Sequence, residues 1–123
     1  MENDRDAITR VIQTYFDGLY EADAAKLESI FLPTSALAEV RDGKLSVTPR
    51  DTWLEAVRNR ASAKSQGLER GDRILALEIN GPTMAYVKVN CQLPPRFFTD
   101  QLSLLKVDGQ WKVAQKVYQT TTR

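Results

Sequence analysis

Histidine is absent from the 123 residues of this chain. That removes the commonest general base near neutral pH and the commonest zinc ligand. It also excludes a Ser-His-Asp or Cys-His mechanism. A single cysteine, Cys91, permits no internal disulfide, which fits a reducing compartment. Neither sign of charge is in excess: 17 basic and 16 acidic side chains leave a net charge of +1. Such a surface has no field for nucleic acid or an anionic membrane. No apolar run reaches the roughly 18–20 residues that span a bilayer, and no signal-peptide pattern opens the chain, so a cytoplasmic location is expected. Glycine-rich phosphate loops, dinucleotide fingerprints and internal repeats are missing as well. Neither a metal nor a cofactor is expected.

What is present suffices for a core: 42% of the residues are hydrophobic, and the length suits one domain spanning 1–123. Residues 4–22 read as an amphipathic helix, with Ile8, Val11, Ile12, Tyr15, Phe16, Leu19 and Tyr20 on one stripe. Asn3 and Asp6 resemble a capping pair. Asp23 reads as the N-cap of a short helix carrying Leu27, Ile30 and Phe31, closed by Pro33. Strands are expected at 36–41 and 44–48, joined at Asp42-Gly43. Thr48-Pro49 reads as an N-cap followed by proline at the first helical position. The helix after it carries Trp53, Leu54 and Val57 and runs to about Ala61. A polar, mobile loop is expected at 62–69.

Four strands follow, roughly 72–80, 83–93, 97–107 and 110–120. Asn80-Gly81 and Asp108-Gly109 mark hairpins, and Pro94-Pro95 marks a break. The order predicts an α+β domain with helices on one face of an antiparallel sheet. Alternation places Ala85, Val87, Val89, Cys91 and Leu93 on one face. It sets Trp111, Val113, Gln115, Val117 and Gln119 against Lys112, Ala114, Lys116 and Tyr118. Lys88, Lys112 and Lys116 then form a basic outer stripe, solvated or at a dimer rim. On the preceding strand Asp100 shares a face with Phe98, Leu102 and Leu104. A carboxylate there is either exposed at a strand end or held in an apolar cavity, where its protonation becomes tunable.

The phrases VIQTYFDGLYEAD and FTDQLSLLKVDGQWKV, in this element order, resemble the nuclear transport factor 2-like superfamily. Within it the chain is similar to the small bacterial proteins described as "Putative lumazine-binding", relatives of the SnoaL-like polyketide cyclases. The resemblance covers nearly the whole chain. It implies a conical α+β barrel, three helices packed on a curved, mostly antiparallel sheet that leaves a cavity, and a homodimer formed through the sheet. Relatives often carry histidines where this chain has Leu32 and Gln119, which sets aside any histidine-dependent chemistry. Ketosteroid isomerase shares the superfamily fold and uses an acidic general base with a tyrosine and a protonated aspartic acid as oxyanion donors. The resemblance places the tyrosine at Tyr15, within Val11-Ile12-Gln13-Thr14-Tyr15. It places the base at Glu39, counted from Phe31, and the protonated acid at Asp100.

Two functional expectations follow. In the first, the cavity binds a flat, partly apolar organic molecule, pterin- or lumazine-like by resemblance. Tyr15, Trp53 and Phe98 are its walls, and Asp100 and Gln115 its orienting groups. In the second, a cofactor-independent isomerase or cyclase acts next to a carbonyl, with Glu39 as base and Tyr15 and neutral Asp100 stabilising the enolate. A third possibility is a homodimeric interaction scaffold whose cavity its own side chains fill. Each residue has an alternative. Tyr15 and Trp53 can be core aromatics, and Cys91 an inert buried thiol. Gln115 needs partners on an apolar face. Glu39 is a surface acid if Ala36, Ala38 and Val40 are the inward set, and Arg41 shares that ambiguity.

Overall fold

A computed structural model describes residues 2–123. Helix α1 spans Asp4–Glu21, and its first turn is closed by Asn3, whose Oδ1 accepts the Asp6 N–H at 2.8 Å. The expected stripe of Ile8, Val11, Ile12, Tyr15, Phe16 and Leu19 is buried. The chain turns at Ala22 in the left-handed region (φ 51°). Gly18 lets α2 (Ala24–Ile30) approach closely: a Cβ there would sit 2.8 Å from the Leu27 side chain. Asp23 caps α2 by accepting the Lys26 N–H at 3.1 Å.

Strands β1 (Ala36–Arg41) and β2 (Lys44–Pro49) form the first hairpin. The expected start of the third helix shifts by one residue. Thr48 stays in β2, paired with Leu37, and α3 (Arg50–Arg58) follows Pro49 without a side-chain cap. Segment 62–69 is held rather than mobile: the Lys64 N–H donates to the Tyr20 carbonyl at 3.1 Å, and the Tyr20 hydroxyl to the Leu68 carbonyl at 2.9 Å. Strands β3 (Arg73–Ile79), β4 (Met84–Leu93), β5 (Arg96–Val107) and β6 (Gln110–Thr122) complete one six-stranded sheet in the order β2-β1-β6-β5-β4-β3. The sheet is mixed, because β1 runs parallel to β6 through Leu37–Lys116 and Ala38–Val117.

The helices cover one face. Ile12, Tyr15, Leu27, Phe31, Leu54 and Val57 meet Val87, Val89, Leu102, Leu104 and Val113, all buried. On the other face the hairpin register sets Val40 beside Leu45 and Ala38 beside Val47, and Ala38 also pairs with Val117. Val40 and Leu45 are 71% and 73% exposed.

The strict alternation expected for β6 fails at one residue. Ser103 faces Gln115 and Leu104 faces Val113, so Ala114 is an extra residue in the ladder. A bulge of this kind reverses the inward set beyond it. Trp111 and Val113 point inward before it, and Lys116 does so after it. Gln115, expected inside, is exposed. Lys116, expected on an outer basic stripe, is 5% exposed and belongs to the interior.

Candidate functional site

Asp100 sits mid-strand on β5, between Val89 of β4 and Tyr118 of β6, and has no solvent exposure. Its Oδ2 is crowded. The Tyr15 hydroxyl donates to it at 2.5 Å, the Cys91 thiol lies at 3.4 Å, and the Lys116 ammonium at 3.8 Å. Its Oδ1 is buried with no hydrogen-bond partner among the described residues. Helix α1 delivers Tyr15 because the residue lies on the buried stripe. The bulge delivers Lys116.

Burying an ammonium is costly unless charge and polarisable groups surround it. Lys116 has both. Besides Asp100, its Nζ lies 4.6 Å from the ring centre of Tyr118 and 5.2 Å from those of Tyr15 and Trp53. Ring faces attract a cation at such distances. Phe31 braces the cage, with its ring 5.0 Å from Trp53 and 5.8 Å from Tyr15. Burial, and next the Asp100 charge, push the Tyr15 hydroxyl well above the usual phenol range. The same causes in the same order push up the Cys91 thiol, which leaves it protonated and unreactive.

The register of β1 places Leu37 and Glu39 inward. Because β1 runs alongside β6 from Leu37–Lys116 onward, Glu39 arrives next to the end of β6. It accepts hydrogen bonds from Tyr118 at 2.8 Å and Thr120 at 3.1 Å, and its Oε2 is 2.7 Å from an Nη of Arg41. Tyr118 therefore connects the two acids, its hydroxyl on Glu39 and its ring against Lys116. Burial, then the hydrogen bond to Glu39, raises the Tyr118 hydroxyl to about 12.

The fold thus gathers Tyr15, Trp53 and Asp100 around Lys116. Phe98 joins at the edge of Tyr118, ring centres 6.4 Å apart. Glu39 stands one tyrosine away. Gln115 is not part of the cluster, because the bulge turns it outward. Sequence reasoning missed Lys116, Tyr118 and Thr120, since alternation without the bulge puts all three outside. Leu32 is half-buried and Gln119 exposed.

Tyr15 and Asp100 are enclosed. A groove of about 480 Å³ has Glu39, Tyr118 and Thr120 among its polar lining and Ala38, Val40, Leu45 and Val117 as apolar walls. Among the described residues no three His, Cys, Asp or Glu side chains come together as a metal site. No helix among them is long and apolar enough to cross a membrane.

Residues 3–119 match the family described as "Putative lumazine-binding". Among solved structures, the chain resembles a nuclear transport factor 2-like protein of unknown function from Shewanella baltica. The TM-score is 0.87 at 27% identity, over 98% of this chain and 95% of that one. A nuclear transport factor 2-like protein of unknown function from Methylobacillus flagellatus gives 0.84 at 24% identity, over 97% and 93%. A ketosteroid isomerase-like protein from Erwinia carotovora atroseptica gives 0.75 at 13% identity, over the full length of both chains. No curated protein matches the sequence.

Proposed function

Because the chain belongs to the "Putative lumazine-binding" family and has the nuclear transport factor 2-like fold, we propose that it is a small-molecule-binding domain for a flat, partly apolar ligand. The observation that carries this reading is the unpartnered Oδ1 of Asp100. Buried acceptors in native proteins almost always have a donor, from protein, water or ligand, so this oxygen can accept from a ligand N–H or O–H. Tyr15, Trp53, Phe98 and Tyr118 supply aromatic area. In this reading a planar ring takes the place of the Lys116 side chain between Trp53 and Tyr118, and its own donors replace the counter-charge that Asp100 loses. A pterin- or lumazine-like heterocycle, with ring N–H donors and a flat apolar face, suits these groups. A thermal-shift screen of such heterocycles tests the reading, since a ligand that binds only the native state raises the midpoint. Stabilisation of the wild type that disappears in Asp100→Asn supports it. No shift across the panel contradicts it.

The second reading, enolisation next to a carbonyl, draws on one observation: the Tyr15 hydroxyl and Asp100 converge within 2.5 Å. Its weakness is the proposed base. Both Glu39 oxygens are already engaged, by Tyr118, Thr120 and Arg41, and none of these contacts points it at Tyr15 or Asp100. Solvent deuterium exchange into a panel of cyclic ketones, measured against Glu39→Gln, decides this reading.

The apolar outer face points to a second copy of the chain as partner. Val40, Leu45, Val47 and Val117 are exposed on three adjacent strands. A two-fold contact there would cover the same patch on both copies.

A further inference from the structure

We propose that Arg60 and Arg96 form a second site, one that takes the carboxylate of a small, partly apolar organic acid. This goes beyond the reading above and does not depend on it, because neither Tyr15 nor Asp100 lines the cleft in question.

Arg60 follows the C-terminus of α3, and Arg96 opens β5. Both line one cleft of about 250 Å³ between the held loop and the turn joining β4 to β5. No carboxylate lines it. Among the described residues neither arginine forms an ion pair. Arg10, Arg41, Arg50, Arg58 and Arg70 have acidic partners; Arg5, Arg73 and Arg123 form no ion pair among the described residues either, but none of them lines this cleft.

The guanidiniums of Arg60 and Arg96 use few of their donors. An Nη of Arg60 reaches the Leu19 carbonyl at 3.5 Å, and Arg96 lies over the Phe98 ring at 5.9 Å. Each guanidinium offers about five N–H groups in a planar fork that matches a carboxylate. Arg60 is half-buried. Burial, and after it the neighbouring Arg96 charge, lowers its pKa. A bound anion relieves both effects.

The walls select the rest of the ligand. Ala61, Leu68 and Pro94 add a small apolar wall, with Ala63 and Leu93 nearly buried behind it, and Gln66 supplies the one neutral amide. Inorganic phosphate would press oxygens against those walls. A carboxylate on an apolar body would not. The volume falls below the ~300 Å³ at which drug-sized pockets begin, so the acid is small.

Isothermal titration at constant ionic strength tests the site, with benzoate as probe, benzamide as its neutral counterpart and inorganic phosphate as a competing anion. Benzoate is expected to bind saturably and benzamide not at all, with phosphate weaker than benzoate. Arg96→Gln should weaken benzoate at least about tenfold, the loss expected for a charge-assisted hydrogen bond, and Arg60→Gln by a similar factor. Arg96 is exposed, so its variant carries the test even where Arg60→Gln fails to fold. Four results overturn the proposal: no benzoate binding by the wild type, equal binding of benzamide, phosphate binding as tight as benzoate, or unchanged benzoate affinity in Arg96→Gln.

Discussion

Lys116 and Asp100 lie on neighbouring strands, both enclosed, with Nζ 3.8 Å from Oδ2. They are an opposite-charge pair inside a mostly apolar core. The pair exists because one extra residue in β6, Ala114, turns Lys116 inward.

Removing the cation alone should be costly. Lys116→Met keeps the stem but leaves Asp100 without its counter-charge, and the expected loss is about 3–5 kcal/mol of folding stability. The double variant Lys116→Met with Asp100→Leu should recover much of that loss, because no buried charge is left unpaired. Urea unfolding of the single and double variants measures both. If the single variant is as stable as the wild type, the pair is not an enclosed one.

Tyr15→Phe deletes the hydroxyl at 2.5 Å from Asp100 and little else. Asp100 then has only Cys91 and Lys116 nearby. A loss of about 1–3 kcal/mol follows from stripping a donor from a buried acceptor. Chemical denaturation of this variant, with the slope unchanged, checks the figure.

The tyrosines give the protein a limit in alkali. Tyr118 is raised to about 12, and Tyr15 is raised also. In the unfolded chain a tyrosine ionises near ~10. Between these values the folded state holds more protons than the unfolded one, so stability falls as pH rises. The contribution is fully present below about pH 10 and is lost as pH rises toward the folded-state values. Thermal midpoints from pH 9 to 12 should decline, and Tyr118→Phe should make the decline shallower. Phenolate absorbance in the same range should show the enclosed Tyr15 ionising after Tyr118 or only with unfolding.

Charge placed on the outer sheet face should block self-association. Val40→Lys and Leu45→Lys change residues that are already exposed, so the monomer fold is expected to survive with stability within about 0.5 kcal/mol. Analytical ultracentrifugation should show a dimer for the wild type and a monomer for the double variant. A monomeric wild type removes the dimer from the account.

Much of this was legible in the sequence. Asn3, Asp23 and the apolar stripe of α1 act as local physics dictates, and the Asp-Gly turns fall where expected. Asp100 was recognisable because an acid in phase with apolar neighbours must be accommodated. What could not be read was the bulge. A two-residue period carries no mark of where one strand gains a residue on its partner, so Gln115 and Lys116 were exchanged between faces. The parallel pairing of β1 with β6, which settles that Glu39 faces Tyr118, is likewise a long-range contact that no local pattern encodes.

The most direct test of the ligand-binding account is a co-crystal structure with the heterocycle that gives the largest thermal shift. The account predicts the ring between Trp53 and Tyr118, the Lys116 side chain withdrawn, and a ligand N–H or O–H within hydrogen-bond distance of Asp100 Oδ1. A ligand bound elsewhere, with Lys116 still 3.8 Å from Asp100 and Oδ1 still unpartnered, would contradict it.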